Sequence, residues 1–212
     1  MSNEHAEHVV VFDVNVWLDI ARIFGPHGFS WDAMTEFVVG HAREPVPSRT
    51  VAGLDSALAI SLCRDGKFPG GAPLEVWTSP HLDDTLLHKL TQPLQASRPE
   101  DAGLGWASPD ALSFLSNGSD ELVWAMTEGT TTGEIERAEQ TPPLDHEDGK
   151  VYLSALRAGD EPVVRYLVTN DRGFREANLR GSVARLFPYE WVQLVRRSQQ
   201  RVALRKLRPP VR

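Results

Sequence analysis

One cysteine in 212 residues, Cys63, leaves no internal disulfide to be made, and no Cys/His cluster at zinc spacing accompanies it. No apolar run approaches the roughly 18 residues that a membrane span needs, and the opening MSNEHAEHVVVF lacks the basic region and apolar stretch of an export signal. A soluble, cytoplasmic protein is the expectation. There is no G-x-S-x-G elbow, Walker A loop or H-E-x-x-H pair, and Gly103 and Gly105 do not complete a G-x-G-x-x-G pattern. Serine-hydrolase, P-loop and dinucleotide chemistry therefore have no sequence support. Nor does any internal repeat or low-complexity linker divide the chain, and its 41% apolar content suits one sizeable core.

What the chain does have is the stretch VVVFDVNVWLD, Val9 to Asp19, in which a β-branched apolar run ends abruptly in a carboxylate. The run reads as a buried strand and Val16 to Phe24 as a helix packed on a sheet, which is how an α/β unit opens. After a break at Gly25 to Gly28, helices are read over Trp31 to Ala42 and from about Ser48 to Cys63. In the second of these Ser48 is the N-cap, and Val51, Leu54, Leu58 and Leu62 share one face. Turn residues fill Arg64 to Pro73, Leu74 to Thr78 reads as the second strand, and Ser79 caps a helix across Pro80 to Leu90 with Asp83 and Asp84 near its start.

From Thr91 to Pro143 the pattern weakens into breaker-rich segments around a helical stretch, Leu112 to Met126, interrupted near Gly118. Regularity returns with a helix from about Asp148 to Arg157, a strand over Val163 to Asp171, a short helix in RGFREANL, a strand from Val183 to Phe187 and a closing helix from Pro188 to Arg197. The expected fold is a mainly parallel α/β sheet flanked by helices. It would form a single domain over residues 1–195, with helical insertions at about 25–73 and 91–143 and a basic tail over 196–212.

Asp13 ends the first strand, Asp148 begins a helix, and Asp171 ends another strand. In open parallel sheets the functional crevice lies beyond the carboxyl ends of the strands, so all three belong to one kind of place. Each also has a plain structural reading: Asp13 as a helix cap, Asp145-x-x-Asp148 as a capping box, Asn170-Asp171 as a turn pair. Their conjunction points further. Carboxylates gathered by a sheet raise one another's pKa unless something neutralises them, and oxygen ligands without cysteine or a paired histidine favour Mg²⁺ or Mn²⁺ over zinc. Such a crevice serves phosphoryl transfer, and hydrolysis of a nucleic-acid backbone fits it.

FDVNVWLD, SPHLDDTLLHKL, LDHEDGKVYLSALRAG, YLVTNDRGF and ARLFPYEWVQLV, in that order, resemble the landmarks of the PIN-domain family over about half of the chain. The resemblance implies a parallel-sheet α/β domain whose acidic pocket binds Mg²⁺ or Mn²⁺ and cuts RNA, in many bacterial members as a toxin held by an antitoxin. On that pattern Asp13 matches the first acidic position and Asn15 the small polar residue beside it. Asp148 matches the helix-start aspartate with Asp145 as its accessory, and Asp171 follows a T-x-D turn in which Thr169 would hydrogen-bond within the site. The second acidic position, usually glutamate, falls on Asp83 or Asp84, with Asp84 preferred by helical register.

From Arg196 to Arg212 there are seven basic residues and no acidic one, in a chain of net charge −7. Arg196, Arg197, Arg201 and Arg205, with Arg172 beside Asp171, are the candidates for contact with RNA or an acidic partner. The same segment also reads as a solvated terminal helix, since no aromatic beside it could stack on a base. RNA, an antitoxin protein and a second copy of the chain are the partners to consider. Two rival readings stand. One is a PIN-like module that binds RNA or protein without cutting, suggested by the shortened second acidic residue. The other is an aspartyl-phosphate phosphatase using Asp13, which would want a carboxylate where this chain has Asn15.

Overall fold

Three consecutive valines place β1, His8–Phe12, at the centre of the molecule: Val9, Val10 and Val11 are at most 1% exposed, so both faces of the strand are covered. The computed structural model describes residues 6–42, 53–95, 102–138 and 141–207. Within them β1 pairs in parallel with β2, Leu74–Trp77, on one side and with β3, Val164–Val168, on the other. β4, Val183–Leu186, completes an all-parallel sheet of order β2-β1-β3-β4. The chain moves from β1 outward to β2 and then returns to the far side of β1, so the strand order reverses between β1 and β3. The crevice beyond the ends of those two strands is the topological switch point, where α/β sheets bind ligands.

Helices flank this sheet. α1, Val14–Gly28, is interrupted at the expected break: Gly25, at φ 67°, has non-helical backbone, and Pro26, suited to a first turn, starts the short helical piece that follows. α2 is Trp31–Ala42, as the pattern predicts. α3, Leu54–Ser61, starts later than expected, after Gly53 at φ 79°; the Ser48 cap and Val51 lie outside the described residues. Its buried face is Ser56, Ala57, Ala59 and Ile60, while Leu58 and Leu62 are only partly buried. The small residues allow close approach, and Trp191 Nε1 donates to the Ala59 carbonyl at 3.2 Å.

α4, Pro80–Thr91, is capped by Ser79 Oγ, which accepts from Leu82 N–H at 3.2 Å. α5, Ser108–Leu115, and α6, Glu121–Thr127, are separated by a π-helical turn, Ser116–Asp120, which is the interruption foreseen near Gly118. These helices are more than an appendage. Ala111, Phe114, Leu122 and Val123 are in the core, and α6 lies along β2, where the Val76 N–H finds Met126 Sδ at 3.3 Å and Thr132 N–H donates to Thr78 O at 3.1 Å. The segment thus covers the outer edge of β2, which would otherwise be open to pairing with another chain.

α7, His146–Arg157, packs on β1 and β3; α8, Gly173–Glu176, follows β3; and α9, Pro188–Leu207, packs on α3 and β4. The basic stretch expected as a tail from residue 196 is helical as far as Leu207. It contains no breaker before Pro209, and its closing Arg205 and Lys206 suit the negative end of the helix dipole. Residues 208–212 lie outside the described residues.

Candidate functional site

Asp13 extends the β1–β3 ladder by one residue, its N–H donating to Val168 O at 2.9 Å. It occupies the N-cap position of α1, yet its side chain makes no cap hydrogen bond. Instead the buried carboxylate turns toward β3, where Oδ2 accepts from Thr169 Oγ1 at 2.5 Å and from Asn15 Nδ2 at 2.7 Å. Thr169 Oγ1 in turn accepts from Asp171 N–H at 2.9 Å and from Asn15 Nδ2 at 3.2 Å. Asn15 Oδ1 accepts from Asn170 N–H at 2.9 Å. One amide and one hydroxyl thereby tie the β1–α1 junction to the loop after β3.

Asp171 closes its own turn, Oδ1 accepting from Gly173 N–H at 2.7 Å. On α7 the capping box read in the sequence is formed. Asp145 Oδ1 accepts from Glu147 N–H at 2.8 Å and from Asp148 N–H at 3.0 Å, and Asp148 Oδ2 accepts from Asp145 N–H at 3.3 Å. Capping fixes where Asp148 stands, so the structural role serves the placement of a half-buried carboxylate beside the crevice.

The charges of Asp148 and Asp171 reach Asp13, and that of Asp171 reaches Asp148. Burial pushes the Asp13 carboxyl up to about 6, against the hydrogen bonds from Thr169 and the Val14 backbone, with the charges of Asp148 and Asp171 raising it further. Asp148 is likewise raised, first by burial and then by the charges of Asp145, Asp171 and Glu147, while the Asp145 N–H opposes the shift. No cationic side chain figures among the groups acting on either one. Among the described residues the charges acting on Asp13 and Asp148 are therefore acidic ones.

Neither Asp83 nor Asp84, the candidates for the fourth carboxylate, figures among the charges acting on Asp13 or Asp148. Asp83 accepts from Thr78 Oγ1 at 2.8 Å, and burial pushes it up to about 7, with Asp120 and Asp84 adding to the shift. It thus belongs to the end of β2 and the π-helical turn. Asp84, the residue preferred by helical register, is exposed and acts on Asp83 and on His81. The reason is packing: Leu82, Leu86 and Leu90 seat α4 in the core, and that orientation directs Asp83 toward Thr78 and leaves Asp84 in solvent. α4 nevertheless abuts α7 near the site, where Ser154 Oγ donates to Ser79 Oγ at 2.8 Å and His81 Nε2 lies 3.3 Å from Glu147 Oε2.

A second polar layer escaped the sequence reading. Asp19 Oδ2 accepts from Asn170 Nδ2 at 2.8 Å and from Ser56 Oγ at 2.7 Å, linking α1, α3 and the loop after β3. Asp19 lies four residues beyond Asn15 on α1, which is the one signal that could have found it; Ser56 and Asn170 carry none. Arg172 is exposed at the start of α8, and Arg196, Arg197, Arg201 and Arg205 are exposed on α9, away from the elements that bear the three carboxylates.

The chain matches no protein-family model, no curated protein and no solved structure. No helix among the described residues is long and apolar enough to cross a membrane. Among those residues, too, no three His, Cys, Asp or Glu side chains converge closely enough to hold a metal ion as they stand. As hard oxygen donors, carboxylates so placed are of the kind that Mg²⁺ or Mn²⁺ takes.

Proposed function

We propose that this protein is a PIN-like, metal-dependent ribonuclease, with Asp13, Asp148 and Asp171 as the residues that would hold Mg²⁺ or Mn²⁺. The observation that supports the reading is the placement of Asp13 and Asp171 after neighbouring parallel strands at the switch point, near enough to the head of α7 that the charges of Asp148 and Asp171 act on Asp13. A divalent cation there would neutralise a phosphodiester and activate a water for hydrolysis. Thr169 and Asn15 fix the orientation of Asp13, and Asp145 holds the first turn of α7. In this reading Asp83 and Asp84 lie outside the group that binds the cation.

A toxin held by an antitoxin protein is the finer role that we infer for it, with the exposed arginines of α9 and Arg172 meeting RNA or the partner. A self-paired homodimer is the simplest assembly for such a role. The second reading, a module that binds RNA or protein without cutting, is favoured by one observation: the fourth carboxylate stands apart from the other three. Melting in millimolar Mg²⁺ or Mn²⁺ separates the two. A cation held by the folded crevice raises the melting temperature of the parent, and the gain disappears in Asp13→Asn; no gain in the parent favours the binding module.

A further inference from the structure

Away from the acidic crevice, α7 contributes its outer face to a half-open groove of about 430 Å³. Tyr152, Leu153 and Leu156 from α7 and Leu179 from the loop after α8 make an apolar floor, with Arg137 and Arg180 at the rim. The wall is preformed. The Tyr152 hydroxyl donates to Arg180 O at 2.9 Å, and Gly181, at φ 103°, lies so close to Leu156 that an added Cβ would stand 2.7 Å from Cδ1. Both arginines are exposed, and among the described residues neither guanidinium has a hydrogen-bond or carboxylate partner.

In a chain of net charge −7, two guanidinium groups without a partner among the described residues, beside leucine side chains, mark a place suited to an anion with a hydrocarbon body. The volume lies in the range of small-molecule sites. A nucleobase is a poor match. The only aromatic ring lining the groove, that of Tyr152, is 5% exposed, so no ring face is open for stacking. We propose that this groove binds a small aliphatic carboxylate, its chain lying on Leu153, Leu156 and Leu179 and its carboxylate taken by Arg137 and Arg180. The ligand would rest on the helix that carries Asp148, yet it touches none of the three carboxylates. The inference therefore stands apart from the nuclease reading.

Octanoate is the probe, titrated into the ¹⁵N-labelled full chain, with acetate supplying the charge alone and octylammonium the same body with the opposite charge. The expected result is saturable octanoate binding with a Kd of about 1 mM or tighter. Its amide shifts would be confined to Arg137, Ala138, Thr141 and residues 149–156 and 178–181, which line or adjoin the groove, and neither control would produce them. Arg137→Gln with Arg180→Gln, two exposed substitutions that leave the core intact, should weaken octanoate about tenfold or more. Asp13→Asn should leave it unchanged, so loss of the nuclease reading would not remove this one. Equal shifts from octylammonium, shifts scattered over the molecule, or unaltered affinity in the double variant would overturn the proposal.

Discussion

Thr169 uses a single hydroxyl to satisfy a buried carboxylate and the N–H of the residue that closes the next turn. Thr169→Val removes both functions at unchanged shape and leaves Asp13 and Asp171 N–H short of a partner. The expected loss is about 2 kcal/mol in urea unfolding, most of it recovered in Thr169→Ser. Asp13 itself makes stability depend on pH. Its folded pKa of about 6 lies above the ordinary 3.8, so folding favours the protonated form. That contribution is complete below about pH 4 and is lost as pH rises through about 6. Asp13→Asn should therefore match the parent near pH 4 and exceed it near pH 8 by up to about 3 kcal/mol, and saturating Mg²⁺ should narrow the gap. Equal stabilities at both pH values would show that the carboxylate is not strained. Asp13, Asp148 and Asp171 were legible in the sequence because each interrupts or borders an apolar run. The choice between Asp83 and Asp84 was not, because adjacent helical residues point about 100° apart and only the packing of α4 decides which one turns inward.

At the scale of elements, the capping box on α7 positions Asp148, so its loss should be felt twice. Asp145→Ala is expected to cost about 1 kcal/mol and to lower the melting temperature by about 2–4 °C. RNA cleavage should also fall, whereas Asp145→Ser, which can still cap, should retain most of both. An unchanged melting temperature in the alanine variant would contradict the capping role. The elements themselves were largely readable, since β1, α2, β2, α4 and β4 carry clear periodicity and turn signals. Gly25, whose backbone is left-handed and non-helical, interrupts α1 where the sequence places the break, and left-handed Gly53 stands where the described part of α3 begins. α9 ran on because charge alone does not break a helix made of good formers.

For the molecule as a whole, the parallel α/β class follows from apolar strands alternating with helices, but the order β2-β1-β3-β4 does not. It depends on which strand returns to which edge, and short buried runs of similar composition do not encode that. The stretch from 91 to 143 reads as helical or loop insertion material around a helical stretch interrupted near Gly118, which is present; what the sequence does not convey is that Phe114, Leu122 and Val123 sit in the core and that Met126 meets the outer edge of β2. Replacing residues 102–138 by a short linker should accordingly give a chain that loses cooperative unfolding, as followed by circular dichroism. A cooperatively folded product would show the stretch to be dispensable.

Cation-dependent cutting of RNA at the crevice of Asp13, Asp148 and Asp171 is the central proposal. The direct measurement incubates purified full-length protein and its Asp148→Asn variant with a labelled pool of cellular RNAs in Mg²⁺, in Mn²⁺ and in EDTA. The expected result is discrete cuts with either metal, none in EDTA, and a drop of about a hundredfold or more in the variant, which corresponds to about 3 kcal/mol of transition-state stabilisation. Folded parent protein that cuts nothing in either metal, or that cuts equally well in EDTA or with Asp148→Asn, would contradict it.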